Sequence, residues 1–241
     1  MLNDIKNLKE KNELIYYLIK GALFFLLFCF IDYIELIPMY LLHLKSISGA
    51  FAVILNTMKN VILAFILFFV YRKDLIREWD VFRVDPMENL DNGTKYWFLG
   101  LVGMIVSNTI INLFFQTGSA GNEQAVQSYI TYLPWLMLVN AGLIAPFCEE
   151  IVFRKCFRDI FKNHKWAFAI MSGFVFGLMH VIGSYHSWVD LLYIFPYGVL
   201  GSAFALAYHE TDTIFTSYFL HMFHNTILIL SSIISALLFL L

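Results

Sequence analysis

Charge is what this chain has least of. Only 14% of its 241 residues are Asp, Glu, Lys or Arg, against 60% hydrophobic and 18% aromatic. Soluble domains carry about 25% charged residues. That shortfall, with a mean hydropathy of +0.71, excludes an ordinary soluble globule. A net charge of −2 argues against a polyanion-binding surface, and so against a nucleic-acid partner. Cysteine is equally scarce. Cys29, Cys148 and Cys156 are odd in number and lack CxxC spacing, which leaves no disulfide framework and no thiolate metal site. Cys29 and Cys148 lie in apolar runs and read as buried free thiols. No internal repeat or low-complexity tract is present, and no glycine cluster forms a phosphate loop.

What is present is a series of long apolar runs. They cover about 14–36, 47–71, 96–115, 129–153, 166–183, 188–208 and 213–241. Each approaches the roughly 20 residues that a membrane helix needs, and they are too uniformly apolar for barrel strands. The fold class is therefore all-α, a polytopic transmembrane helical bundle of seven spans. The long first and last runs leave room for a kink or an eighth element. Residues 1–128 read as N-terminal helices with a charged loop, and 129–241 as a core, within one membrane domain. The loop is placed at 72–95, with turn signals at Asp85-Pro86 and Asp91-Asn92-Gly93. Residues 116–128 read as a second loop. Lys20 and Lys59 are expected to snorkel to an interface. Gly173 with Gly177, Gly198 with Ser202, and Gly201 with Ala205 form faces that let helices approach closely.

Lys and Arg set the orientation. Three lie in the head (Lys6, Lys9, Lys11), five in 72–95 and five in 154–165, against Lys45 alone on the other side. The positive-inside rule then places the N-terminus in the cytosol and Leu241 outside. A cavity open to the cytosol or inner leaflet is the matching expectation.

Against this background Glu149-Glu150-Ile151-Val152-Phe153-Arg154 is anomalous. The preceding stretch from Tyr129 to Phe147 carries no charge, and ionisable groups in hydrocarbon mark function by default. Counting back from the basic cluster at 1.5 Å per residue, Glu149 lies roughly 15 Å inside the membrane. By the same count His180 lies roughly 21 Å in, and His221 and Asn225 roughly 12 and 18 Å. Costly polar groups from separate helices thus share a depth and must face inward. Glu150 and Arg154 are spaced i,i+4 and can pair on one face, while Glu149 points about 100° away. His221 and Asn225, and Phe176 and His180, repeat the i,i+4 spacing.

This set suits hydrolysis. A glutamate in a low-dielectric cavity is a competent general base near neutral pH, and Asn and His donors can stabilise an oxyanion. No serine or cysteine nucleophile accompanies it, so the simplest reaction is attack on an amide by activated water. A divalent metal such as zinc is the other route to such water, and Glu149, His180 and His221 would then be its ligands. HExxH is absent, and His221-x-x-His224 is not a usual zinc spacing.

Glu149-Glu150-x-x-x-Arg154, Phe176-x-x-x-His180 and His221-x-x-x-Asn225, in this order on separate apolar segments, resemble the CPBP family. This family comprises the CAAX proteases and bacteriocin-processing (Abi) enzymes, and includes the type II CAAX prenyl endopeptidases. The resemblance covers about residues 130–230. It implies an intramembrane endopeptidase in which Glu149 activates water with help from His180, Glu150 and Arg154 order the site, and His221 and Asn225 bind the water or the oxyanion. It also implies a membrane-associated peptide or protein as substrate, with membrane lipids around it. In a bacterium that substrate would be a bacteriocin or signalling-peptide precursor, or the setting one of self-immunity. The family has been described both as metal-dependent and as metal-independent, and the metal-independent form is the expectation here. His224 lies outside the motifs. Two other readings stand beside this one. The first is a non-proteolytic scaffold or immunity protein of the same fold. The second is a proton-coupled transporter, which the lack of repeats disfavours. No sequence feature sets an oligomeric state.

Overall fold

The computed structural model describes residues 10–238 except 11, 42, 44, 45, 117 and 163. Lys6, Lys9, Lys11, Lys45 and Leu241 therefore lie outside the described residues. Seven helices are long and apolar enough to cross a membrane, as the apolar runs predict, and no strand occurs among the described residues.

Helix α1 (Glu13–Phe30) continues as a 3₁₀ turn (Ile31–Glu35) and a short helix (Leu36–Leu41), so the long first run does conceal a break. Asn12 caps α1 by accepting the Ile15 N–H at 3.1 Å. Next come α2 (Gly49–Phe82) and α3 (Pro86–Phe115). The expected loop at 72–95 shrinks to three residues, because Arg72 to Glu78 continue α2 one charged turn after another instead of leaving it. Asp85-Pro86 is a helix start, where Asp85 accepts the Glu88 N–H at 2.9 Å and Pro86 takes the first-turn position it tolerates. Asp91-Asn92-Gly93 is not a turn at all. Gly93 sits inside α3 because a Cβ there would lie 2.5 Å from Thr216 and 2.8 Å from Leu220.

A short helix α4 (Gly121–Ile130) replaces the second expected loop, and α5 spans Pro134–Phe161. Then follow α6 (Lys165–Ile182), a 3₁₀ turn (Trp188–Tyr193) leading into α7 (Ile194–Thr211), and α8 (Ile214–Leu238). Left-handed residues Gln116, Lys162 and Asp212 stop α3, α5 and α7.

Helix α5 is the axis. Half of its apolar window is buried, more than in any other span. Its residues Ile151, Val152 and Phe153 are fully enclosed by Leu63, Leu67, Tyr71, Phe168 and Phe176. Helix α5 is also irregular, with π-helical turns at Asn140–Ile144 and Glu150–Lys155. Proline explains the first. Pro146 has no N–H to give its own turn, and the Ala145 N–H bonds to the Asn140 carbonyl five residues back.

At the basic end a buried carboxylate on α2 ties its own helix to three others, α5, α7 and α8. Glu78 accepts from the Tyr208 hydroxyl at 2.9 Å and the Ile214 N–H at 2.8 Å, and lies 3.4 Å from Lys155 Nζ. Lys20 lies 3.7 Å above the Tyr71 ring. Lys59 departs from expectation, since it is buried within the bundle instead of reaching an interface. None of the three cysteines forms a disulfide. Cys148 and Cys156 are buried, whereas Cys29 is only half-buried.

The small-residue faces fasten α6 to α7. A Cβ on Gly173 would collide with the Gly198 carbonyl and the Ser202 hydroxyl, and one on Gly177 would lie 2.5 Å from the Ile194 carbonyl. Backbone cannot retreat as a side-chain tip can, so Gly173→Ala is expected to cost about 1–3 kcal/mol. Thermal unfolding in detergent should show this loss, while Gly183→Ala, where a Cβ meets nothing within 4 Å, stays near wild type.

Candidate functional site

The centre of the site is an imidazole between two carboxylates. His221 Nδ1 lies 2.9 Å from Glu150 Oε1, and its Nε2 lies 3.6 Å from Glu149 Oε2. Helix α8 brings His221 in, and α5 supplies both glutamates. The widened turn from Glu150 to Lys155 lets consecutive residues of one helix reach opposite edges of one ring. Such π-turns recur at functional sites. His221 stacks on Phe204 at 4.7 Å and meets the edge of Phe176 at 5.8 Å, so its plane is fixed from two sides.

Glu150 and Arg154 are 1% and 0% exposed, and Arg154 Nη2 lies 3.5 Å from Glu150 Oε1. A buried pair of this kind survives only when both charges are compensated. Glu150 gains a second partner in His221. Arg154 gains aromatic faces, with its guanidinium carbon 4.5 Å from the Phe176 ring centre and 5.8 Å from that of Phe204. None of its three nitrogens has a hydrogen-bond acceptor, so ring faces and Coulomb attraction carry the compensation. The i,i+4 spacing anticipates this pair. It does not anticipate that Glu150 is shared with His221.

His180, on α6, lies 2.9 Å through Nδ1 from the Phe176 carbonyl. A carbonyl only accepts, so Nδ1 carries the proton and a neutral ring keeps its lone pair on Nε2. Tyr197 flanks the ring at 4.7 Å. Asn225 donates to the Ala141 carbonyl at 3.0 Å, and the π-turn explains why. The regular partner of that carbonyl would be the Ala145 N–H, which goes to Asn140 instead, and the next nitrogen along belongs to Pro146. Asn225 thus satisfies a carbonyl that α5 leaves stranded, and its amide retains a second N–H.

His180, His221 and Asn225 line a cavity of about 500 Å³, and His224 lines it with them. This gives His224 a place that the motifs do not. The cavity runs to Gly118, Ser119 and Gln127, at the end of the bundle remote from Arg158, Lys162 and Lys165. An opening at the basic end was the expectation. Depth counted from one surface fixes a distance but not the side from which a site is reached. Among the described residues no group of three His, Cys, Asp or Glu converges as a ligand set for a metal.

Two residues escaped the motifs. Asn140, at the first π-turn, accepts from Asn60 at 2.9 Å and donates to Asn56 at 2.7 Å, which ties α2 to the irregular part of α5. The signal for it is Asn56 and Asn60 at i,i+4 in an otherwise apolar run. Phe204, which floors both His221 and Arg154, has no signal among so many aromatics.

Comparison with known proteins points to the same part of the chain. The type II CAAX prenyl endopeptidase Rce1-like family model matches residues 131–227. The chain is 28% identical over 165 residues to the "Putative membrane peptidase YdiL" of Bacillus subtilis, covering 62% of this chain and 64% of that protein. It is 30% identical over 129 residues to the UPF0177 protein YaiF of Lactococcus lactis, covering 53% and 54% of the two chains. With YajF of the same organism it shares 37% over 82 residues, covering 34% and 39%. The matches thus span less than two thirds of these relatives' lengths. No solved structure matches. The resemblance carried by the three motifs holds, since the type II CAAX prenyl endopeptidase Rce1-like family model falls on the same part of the chain, residues 131–227.

Proposed function

We propose that the chain is an intramembrane endopeptidase that hydrolyses a peptide bond of a membrane-associated peptide or protein, with Glu149 as the base that activates water. One observation carries the reading. Glu149 Oε2 is buried, has no hydrogen-bond donor and faces His221 Nε2 at 3.6 Å. Glu150 accepts a hydrogen bond from the Nδ1–H of His221, so a neutral ring presents Nε2 as an acceptor. Two acceptors at this separation suit a molecule that donates to both, and water does so.

In the reaction the water oxygen bonds to the scissile carbonyl carbon while its proton passes to Glu149. The carbonyl π electrons move to oxygen, where the second N–H of Asn225 is available as a donor. His180, with its Nε2 lone pair toward the same chamber, assists in orienting the water. Collapse of the intermediate breaks the C–N bond, and the proton held by Glu149 goes to the leaving nitrogen. The products are a carboxylic acid and an amine. Glu150 and Arg154 touch none of these atoms; they hold His221. No step is routed through a metal. The bacterial sources of the relatives favour a bacteriocin or signalling-peptide precursor as substrate, or a self-immunity setting.

Loss of a general base lowers rate by about 10²- to 10⁴-fold. Glu149→Gln is expected to lose this much hydrolysis in purified, folded protein, read by comparing membrane peptides incubated with wild type and variant. Unchanged turnover in both Glu149→Gln and His180→Ala would sink the reading. A deletion phenotype rescued by Glu149→Gln would point instead to a non-proteolytic scaffold or immunity role. Stability gives a separate check on the ion pair. Arg154→Met strands a buried carboxylate and is expected to cost about 3–5 kcal/mol, whereas Glu150→Gln combined with Arg154→Met recovers most of it. Unfolding of the single and double variants in detergent measures both.

A further inference from the structure

We infer that the cavity receives its substrate from the extracytoplasmic side and favours an extended peptide bearing a cationic residue, which Glu123 selects. This rests on the peptidase reading for what happens after entry, but not for entry itself.

The first ground is polarity along the bundle. Lys59 and Arg154 are buried inside. The other described Lys and Arg all lie in the half where α2 ends, α3 begins, α5 ends and α6 begins. Contacts across helices confirm that these ends are neighbours. Lys155 lies 3.4 Å from Glu78, Lys95 3.8 Å from Glu210 and Lys165 3.3 Å from Glu210, while Lys162 pairs with Glu13. The positive-inside rule puts that end in the cytosol.

The second ground is where the cavity leads. Its far wall is made by the end of α3, by α4 and by the 3₁₀ turn before α7. These segments are fastened together, with the Tyr193 hydroxyl donating to the Gly118 carbonyl at 2.9 Å and Phe115 meeting Trp188 at 5.4 Å. Gly118, Ser119 and Gln127 are exposed there. The route from the imidazoles therefore ends on the face opposite the basic one.

The third ground is the chemistry of the wall. Asn108, Asn112, Asn122, Gln127 and Asn225 all line it. A carboxamide both donates and accepts, which matches the alternating N–H and C=O groups of an extended peptide backbone. Among the described residues no Lys or Arg lines the cavity, and Glu123 is the carboxylate on its wall, whereas Glu149 is set behind the lining and faces His221 at 3.6 Å. Glu123 is half-buried and accepts from its helical neighbour Gln127 at 3.2 Å, so no cation of the cavity wall answers it. A lysine or arginine of an incoming peptide would supply that charge, and an acidic residue would be repelled.

Single cysteines test the route without requiring turnover. Ser119→Cys and Arg83→Cys are placed in the full chain and expressed in bacterial cells. A membrane-impermeant maleimide is then added before or after permeabilisation, and the unaltered chain reports background from the native thiols. We expect Ser119→Cys to label at least tenfold above background in intact cells, and Arg83→Cys only after permeabilisation. The reverse pattern overturns the inference. Selectivity is read on purified Ser119→Cys protein, as protection from the maleimide by two heptapeptides that differ only in a central Lys or Glu. The lysine peptide should protect at a concentration at least fivefold lower, and adding Glu123→Gln should erase the difference. Equal protection by both peptides, or a difference that survives Glu123→Gln, overturns the selectivity. Hydrolysis failing while these results hold would sink the peptidase reading alone.

Discussion

An arginine with no hydrogen-bond acceptor, buried beside a glutamate in the middle of a membrane helix, is the constraint around which this structure closes. Arg154 and Glu150 are both removed from solvent, and a buried charge without compensation costs several kcal/mol. Compensation comes from three other helices. Phe176 on α6 and Phe204 on α7 give their ring faces to the guanidinium, and His221 on α8 gives an N–H to Glu150. Packing and electrostatics are here the same contacts. The aromatic rings that balance Arg154 also clamp His221, so whatever fixes the ion pair also fixes the imidazole that faces Glu149.

Tight helix contact makes this possible. Phe176 can lie against Gly201, where a Cβ would come within 2.9 Å of its ring, because α6 and α7 approach through glycine. The same approach places His180, one turn beyond Phe176, against Tyr197. Small residues on α6 and α7 therefore decide where aromatic and ionisable groups on those helices sit.

Much of this was legible in the residues. Seven apolar runs correspond to seven spans, the i,i+4 spacing of Glu150 and Arg154 to a real pair, and common depth to a real meeting of α5 with α8. Periodicity failed where charge was mistaken for loop. Arg72, Lys73, Arg77 and Glu78 read as a solvated connection, yet α2 carries them onward as helix, and Glu78 turns inward to Tyr208 and Ile214. Gly93 read as a turn because its reason for being glycine is a distant neighbour, Thr216, which no local pattern reveals. The π-turns were equally hidden. Pro146 announces a disturbed helix, but whether α5 kinks, breaks or widens depends on a donor for the stranded carbonyl. Asn225 lies far along the chain from that carbonyl and donates to it.

That last link joins irregularity to chemistry. A regular α-helix aims consecutive residues about 100° apart, and a π-turn, with more residues per turn, narrows that angle. Widening the turn after Glu149 brings them to the two edges of His221, at 2.9 and 3.6 Å. A longer turn leaves backbone groups unpaired, which lipid does not tolerate, so a π-turn in a membrane helix is tenable only where neighbouring helices supply partners. Asn225 supplies one to the first π-turn, and the Asn56–Asn140–Asn60 ladder holds the start of that turn to α2. The side chains that keep α5 irregular are thus bound up with those that keep its two carboxylates facing one imidazole. Replacing Asn225 would therefore disturb the backbone of α5 as well as the chamber it lines.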